Sequence, residues 1–126
     1  MATEFLKAGY NVVILNALGR RDAVGPFTGL CPADKVKEAE KYLRAHVEKC
    51  HAAGARAIFY VGPVQVPIGN PMFVKAHPDW LRIRPNGEPD PTPNFAKIRS
   101  GYAGWLLAQL AYVVREIKAD GFWFDG

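Results

Sequence analysis

The residue best placed to do chemistry is Asp125, near the end of the stretch Asp120-Gly121-Phe122-Trp123-Phe124-Asp125-Gly126. Side chains alternate along a strand. Gly121, Trp123 and Asp125 therefore share one face and Phe122 and Phe124 the other, which sets a carboxylate beside an indole. An acid followed by glycine at the C-terminal end of a buried strand is where barrel and open-sheet enzymes carry their catalytic groups. Facing a sugar-sized pocket, such a carboxylate acts as a nucleophile or stabilises an oxocarbenium-like transition state. The alternative is an acid that caps a following helix or pairs with an arginine. Trp123, able to wall the pocket with an apolar ring, tips the reading toward chemistry. Asp120, at the other end of the strand, reads instead as a turn or ion-pair residue.

A second group of candidates lies in His77-Pro78-Asp79-Trp80-Leu81. Trp80 can stack on the apolar face of a pyranose ring while His77 or Asp79 bonds its hydroxyls. Equally, Trp80 can pin its loop to the rest of the fold. Asn16, at the end of an earlier strand, either bonds substrate or ties down the loop that follows it. Metal chemistry has little to stand on. His46 and His51 are five apart on one helix, off the spacing of three or four that puts two ligands on one face, and His77 is remote. The sequence has no phosphate-cradling glycine loop with its lysine and no GxSxG elbow, so neither phosphate binding nor serine hydrolysis has an anchor. No cofactor is expected.

The elements that must position these residues alternate. Thr3 to Ala8 reads as the tail of a helix closed by Gly9. Asn11 to Asn16 is a strand whose unbroken apolar centre predicts burial on both faces, as in a parallel sheet under helices. Ala17 to Cys31 is a loop with Gly19, Gly25, Pro26 and Gly29. Pro32 to Ala53 is a helix with Val36, Ala39, Leu43, Val47 and Cys50 on one apolar stripe. After Gly54, Ala57 to Gly62 is a second strand. Pro63 to Arg99 is a loop rich in proline, of the length that serves as a lid or binding loop. Ser100 to Lys118 is the next helix, capped by Ser100, with Leu106, Leu110, Val113, Val114 and Ile117 facing inward. The third strand follows.

Helical crossovers between strands dictate a parallel sheet. Connections leaving strands are long and those reaching strands are short, which is the asymmetry of a (β/α)₈ barrel whose active site sits on the loops after the strands. The expected fold is therefore α/β. It is a partial (β/α)₈ TIM barrel with three parallel strands and crossover helices, truncated after the strand that reads as the fourth of the barrel, with residues 1–126 as one partial barrel domain. Such a piece is expected to self-associate through its unpaired edges.

Composition sets bounds on partners. The formal charge of +4 is spread without a like-charge run, and no basic, aromatic-interleaved patch appears, so nucleic acid is not an expected partner. No apolar run approaches the roughly 20 residues of a membrane span, and the N-terminus has no signal-peptide core. Cys31 and Cys50 form no CxxC and no disulfide framework; Cys50 reads as a small core residue.

The segments "HPDWLRIRPNGEP", "NFAKIRSGYAGWLLAQL" and "DGFWFDG" resemble retaining glycoside hydrolases of the α-L-fucosidase type (family 29) and related hypothetical glycosyl hydrolase families. "FLKAGYNVVILN" and "CHAAGARAIFYV" are similar to the second and third barrel strands of those enzymes with the helices that feed them. The resemblance implies that Asp125, matching the acid of the fourth-strand WFDG motif, is the nucleophile, with a carbohydrate as substrate. Joined to the reading of the strand ends and loops, which offers Asn16, His77, Trp80 and Trp123, it sets these residues and Asp22 around the sugar as expected contacts. One departure counts against fucose: where the fucosidases carry His-His-Asp-Gly-Phe for sugar recognition, this chain has Arg20-Arg21-Asp22-Ala23-Val24, and only Asp22 matches. The retaining mechanism needs a second carboxyl group about 5 to 5.5 Å from the first. Glu88, Asp90 and Asp79 are loop acids without strand-end placement, so the acid/base is expected on a later strand, beyond Gly126. Two readings compete with a hydrolase: a carbohydrate-binding barrel without turnover, and a barrel lyase or isomerase.

Overall fold

The computed structural model describes residues 2–15, 33–61, 75, 77–88 and 99–124. The elements run α1 (Ala2–Lys7), β1 (Val12–Leu15), α2 (Ala33–Ala52), β2 (Arg56–Val61), a 3-10 turn (Pro78–Trp80), α3 (Gly101–Tyr112) continued by a π-helical turn (Val113–Ile117), and β3 (Gly121–Phe124). The strands form one parallel sheet in the order β1-β2-β3. That is the α/β arrangement expected from the helical crossovers, and it is consistent with part of a barrel.

Each helix is stopped just before its strand by a residue in the left-handed region. Gly9 (φ +83°) and Gly54 (φ +71°) do this for α1 and α2, where glycine has no Cβ to clash. The amides of Tyr10 and Ala55 reach back to the carbonyls of Phe5 and Cys50, closing both helix ends. The third stop is Lys118 (φ 66°), whose N–H bonds the Val113 carbonyl across a wide π turn. At the other end of α3, Ser100 accepts from the Tyr102 amide at 3.3 Å, as its type predicts.

The core lies on one face of the sheet. Val13 and Leu15 from β1 and Ala57 and Phe59 from β2 meet Leu43, Val47 and Cys50 of α2 and Val113 and Ile117 beyond α3, with Phe122 packed at the margin. Fully burying the larger of these, such as Leu43, Val47, Phe59 and Ile117, contributes about 1.5–3 kcal/mol each. Gln109 is a polar exception: it is buried, and its Oε1 has no hydrogen-bond partner among the described residues.

Two expectations are corrected here. Burial of β1 on both faces does not occur: Val12 and Ile14 keep 41% and 47% of their surface. The helices cover a single face, and no described element covers the other. Val114, expected on the inward stripe, is exposed: Leu110, Val113 and Ile117 hold the buried side, and Val114, about 100° round from Val113, falls at its margin. Leu106 is only half-buried and belongs to a second cluster.

That second cluster holds part of the long connection between β2 and α3. Leu81 and Tyr102 are buried, with Trp80, Trp105 and Leu106 packed around them, and Trp105 also touches the main core. Beyond it the chain turns back at Asn86-Gly87, where the Arg84 amide bonds the Glu88 carbonyl at 2.8 Å. Gly87 sits at φ +86°.

Candidate functional site

The sheet register decides which candidates share a surface. Ile58 pairs with Gly121, Phe59 with Phe122, Tyr60 with Trp123 and Val61 with Phe124. Phe59 and Phe122 point to the helices, so Ile58, Tyr60, Gly121 and Trp123 lie on the uncovered face. Trp123, one residue from the end of β3, is 54% exposed and belongs to neither core cluster. Asp125, Asn16 and Asp22 lie outside the described residues.

His77 and Trp80 are brought together. Their rings stack at 3.6 Å with a 6° interplanar angle. Trp80 also meets Tyr102 and Trp105 at 6.2 Å each, and a Cβ added to Gly101 would come within 2.9 Å of its Nε1. The 3-10 turn is started by Pro78, and its Trp80 seats against the bare backbone at the start of α3. Trp80 therefore anchors this loop, with one indole face taken by the imidazole. Burial pushes the Tyr102 hydroxyl up to about 12, so the phenol inside the cluster stays neutral.

At the N-terminal end of β3, Asp120 is held as the ion-pair residue its position predicts. Its Oδ2 accepts from the Ala57 amide at 2.8 Å and stands 2.8 Å from His51 Nε2, while its own N–H donates to the Ala57 carbonyl at 2.9 Å. Burial opposes ionisation of this carboxyl, but the Ala57 amide, His51 and the charge of Arg56 outweigh it and hold the group below its ordinary value. Burial, seconded by the negative charge of Asp120, pushes the Cys50 thiol up. His46 is engaged on its own helix, 2.9 Å from the Tyr42 carbonyl and against the Tyr42 ring. Among the described residues no three His, Cys, Asp or Glu side chains gather as a metal site, and no helix is long and apolar enough to cross a membrane.

Sequence reading missed Tyr60. Its signal was present: Ala57 to Val61 alternates like the closing strand, so Tyr60 has the parity of Ile58 rather than of Phe59. What the alternation lacked was the register that sets Tyr60 beside Trp123.

No protein-family model matches the chain, and no curated protein matches its sequence significantly. Among solved structures, the chain is similar to a noncanonic maltogenic alpha-amylase from Thermotoga neapolitana, with a TM-score of 0.68 over 99% of this chain and 18% sequence identity. The match spans 33% of the amylase chain. The likeness shows the fold alone, an α/β arrangement consistent with part of a barrel, and does not single out the fucosidase family.

Proposed function

We propose that this chain carries part of a glycoside hydrolase that cleaves O-glycosidic bonds by the retaining two-carboxylate route, with Asp125 as nucleophile. The observation that carries the reading is the placement of β3. It is the third parallel strand, its last residue Phe124 is followed in sequence by Asp125, and Trp123 stands half-exposed on the uncovered face. In this mechanism the nucleophile attacks the anomeric carbon while a second carboxyl protonates the leaving oxygen. The second group then takes a proton from the water that releases the sugar. None of the described strand residues on the uncovered face is a carboxylate, so the acid/base comes from elsewhere in the protein. Trp123 provides an apolar wall and Asn16 and Asp22 complete the sugar contacts, while His77 and Trp80, stacked on each other, hold the loop beside it.

Two substrate classes follow from the two likenesses: α-linked glucans, from the amylase, and α-L-fucosides, from the WFDG segment. The single match at Asp22 in the fucose-recognition segment favours the glucans. The test is hydrolysis by the full-length protein of aryl α-glucosides, aryl α-L-fucosides and malto-oligosaccharides. One class is expected to turn over with retention of anomeric configuration, and Asp125→Asn to lower kcat on the order of a thousandfold. Unchanged turnover by the Asn variant would remove Asp125 from the nucleophile role. The competing reading is a carbohydrate-binding barrel without turnover, for which the same sugars bind and none is cleaved.

A further inference from the structure

The uncovered face changes character along its strands. One register level holds Ile14, Ile58 and Gly121, aliphatic or bare. The next level toward the C-terminal edge holds Tyr60 and Trp123, direct register partners on neighbouring strands. Adjacent strands lie about 4.8 Å apart, so same-face side chains at one level are neighbours. Tyr60 is half-buried and Trp123 half-exposed, while Phe59, next to Tyr60, is fully buried on the other face. Each aromatic is followed by one more strand residue, Val61 or Phe124. The two rings thus mark the edge at which the proposed chemistry takes place.

We infer that Tyr60 is a second sugar-contacting residue, forming with Trp123 a two-ring platform for a pyranose. This rests on the glycosidase reading above. The occupant follows from the chemistry of the level. A purely apolar partner is served by aliphatic side chains, as at Ile14 and Ile58. A phenol beside an indole instead offers apolar faces rimmed by an O–H and an N–H. That matches a pyranose, whose C–H face stacks on aromatic rings while its hydroxyls bond around them. Trp123 supplies the more exposed ring, and Tyr60 extends the surface across to β2.

Binding and turnover are measured separately on the full-length protein, by calorimetric titration with malto-oligosaccharides and α-L-fucosides and by hydrolysis of the same sugars. Tyr60→Leu keeps apolar volume and removes the ring, and it is expected to weaken sugar binding about tenfold. Tyr60→Phe is expected to retain most of the affinity. Gly121→Ala, one level below, serves as the control. Its Cβ would meet Ile58 at 3.9 Å, an ordinary contact, so fold and affinity should both persist. Thermal melting of each variant separates lost binding from lost folding. Wild-type affinity in a folded Tyr60→Leu variant overturns the platform. Sugar binding without hydrolysis in the wild type overturns the glycosidase reading while leaving the Tyr60 comparison decisive, and no binding of any sugar overturns both.

Discussion

Phe59 and Tyr60 are consecutive in β2, yet they stand in different solvents. Phe59 is sealed between the sheet and the helices, and Tyr60 faces the side that no described element covers. The same division runs across the sheet, with Val13 and Leu15 buried and Val12 and Ile14 exposed. One face is a finished helix-on-sheet core; the other, apart from Arg56 at its N-terminal edge, carries apolar and aromatic side chains with the exposure of a surface. The covered face is where the fold's stability resides, and the uncovered face, at its C-terminal edge, is where the sugar site is proposed.

Three substitutions test this division. The largest effect is expected on the covered face: Phe59→Ala should lower unfolding free energy by about 3–5 kcal/mol, the range for emptying a large core side chain. Chemical denaturation measures it, and a loss below about 1 kcal/mol would mean that this face is not the core. Asp120→Ala comes next, at about 1–3 kcal/mol, because the Ala57 amide loses its acceptor and β3 loses its tie to α2. This contribution depends on pH with a definite sign. The folded state holds the Asp120 carboxyl below its ordinary value, so the stability is fully present above that value and is lost as pH falls through the folded-state pKa. Acid denaturation of wild type and Asp120→Ala should therefore converge at low pH, and a gap that widens there would contradict the assignment. The smallest effect is expected on the uncovered face, where Ile14→Ala should cost less than about 1 kcal/mol because the side chain is already half in water. A loss of 2 kcal/mol or more would break the comparison by showing that this face is covered in solution. Repeating the measurement across protein concentrations would then test self-association through the sheet edges, the partner expected of a partial barrel.

Much of the scaffold was legible because its signals are local. Gly9 and Gly54 mark helix ends through a backbone conformation that other residues resist, and Ser100 caps α3 with a side chain that reaches its own first turn. The stripe of Leu43, Val47 and Cys50 needs only helical periodicity. The misreadings have non-local causes. Val114 lies at the margin of the helical stripe, and only the packing against the sheet decided that it falls outside. In the long connection before α3, Trp80 offered two roles of equal weight in the sequence. Its packing depends on Gly101 and Trp105, more than twenty residues downstream and invisible to local pattern.

The sequence by itself determined the alternation of strands and helices, the parallel sheet, the one-sided placement of the long connections and the choice of Asp125 as the acid to watch. These follow from side-chain periodicity and backbone preference, which act over a few residues. Only the tertiary structure decided that the described elements leave one face of the sheet uncovered, that His77 lies on Trp80 as part of an anchor, that Asp120 is fixed by His51 and Ala57, and that Tyr60 stands beside Trp123. Each of these depends on how distant segments align, and register and layer packing are settled by contacts that no single stretch of chain contains.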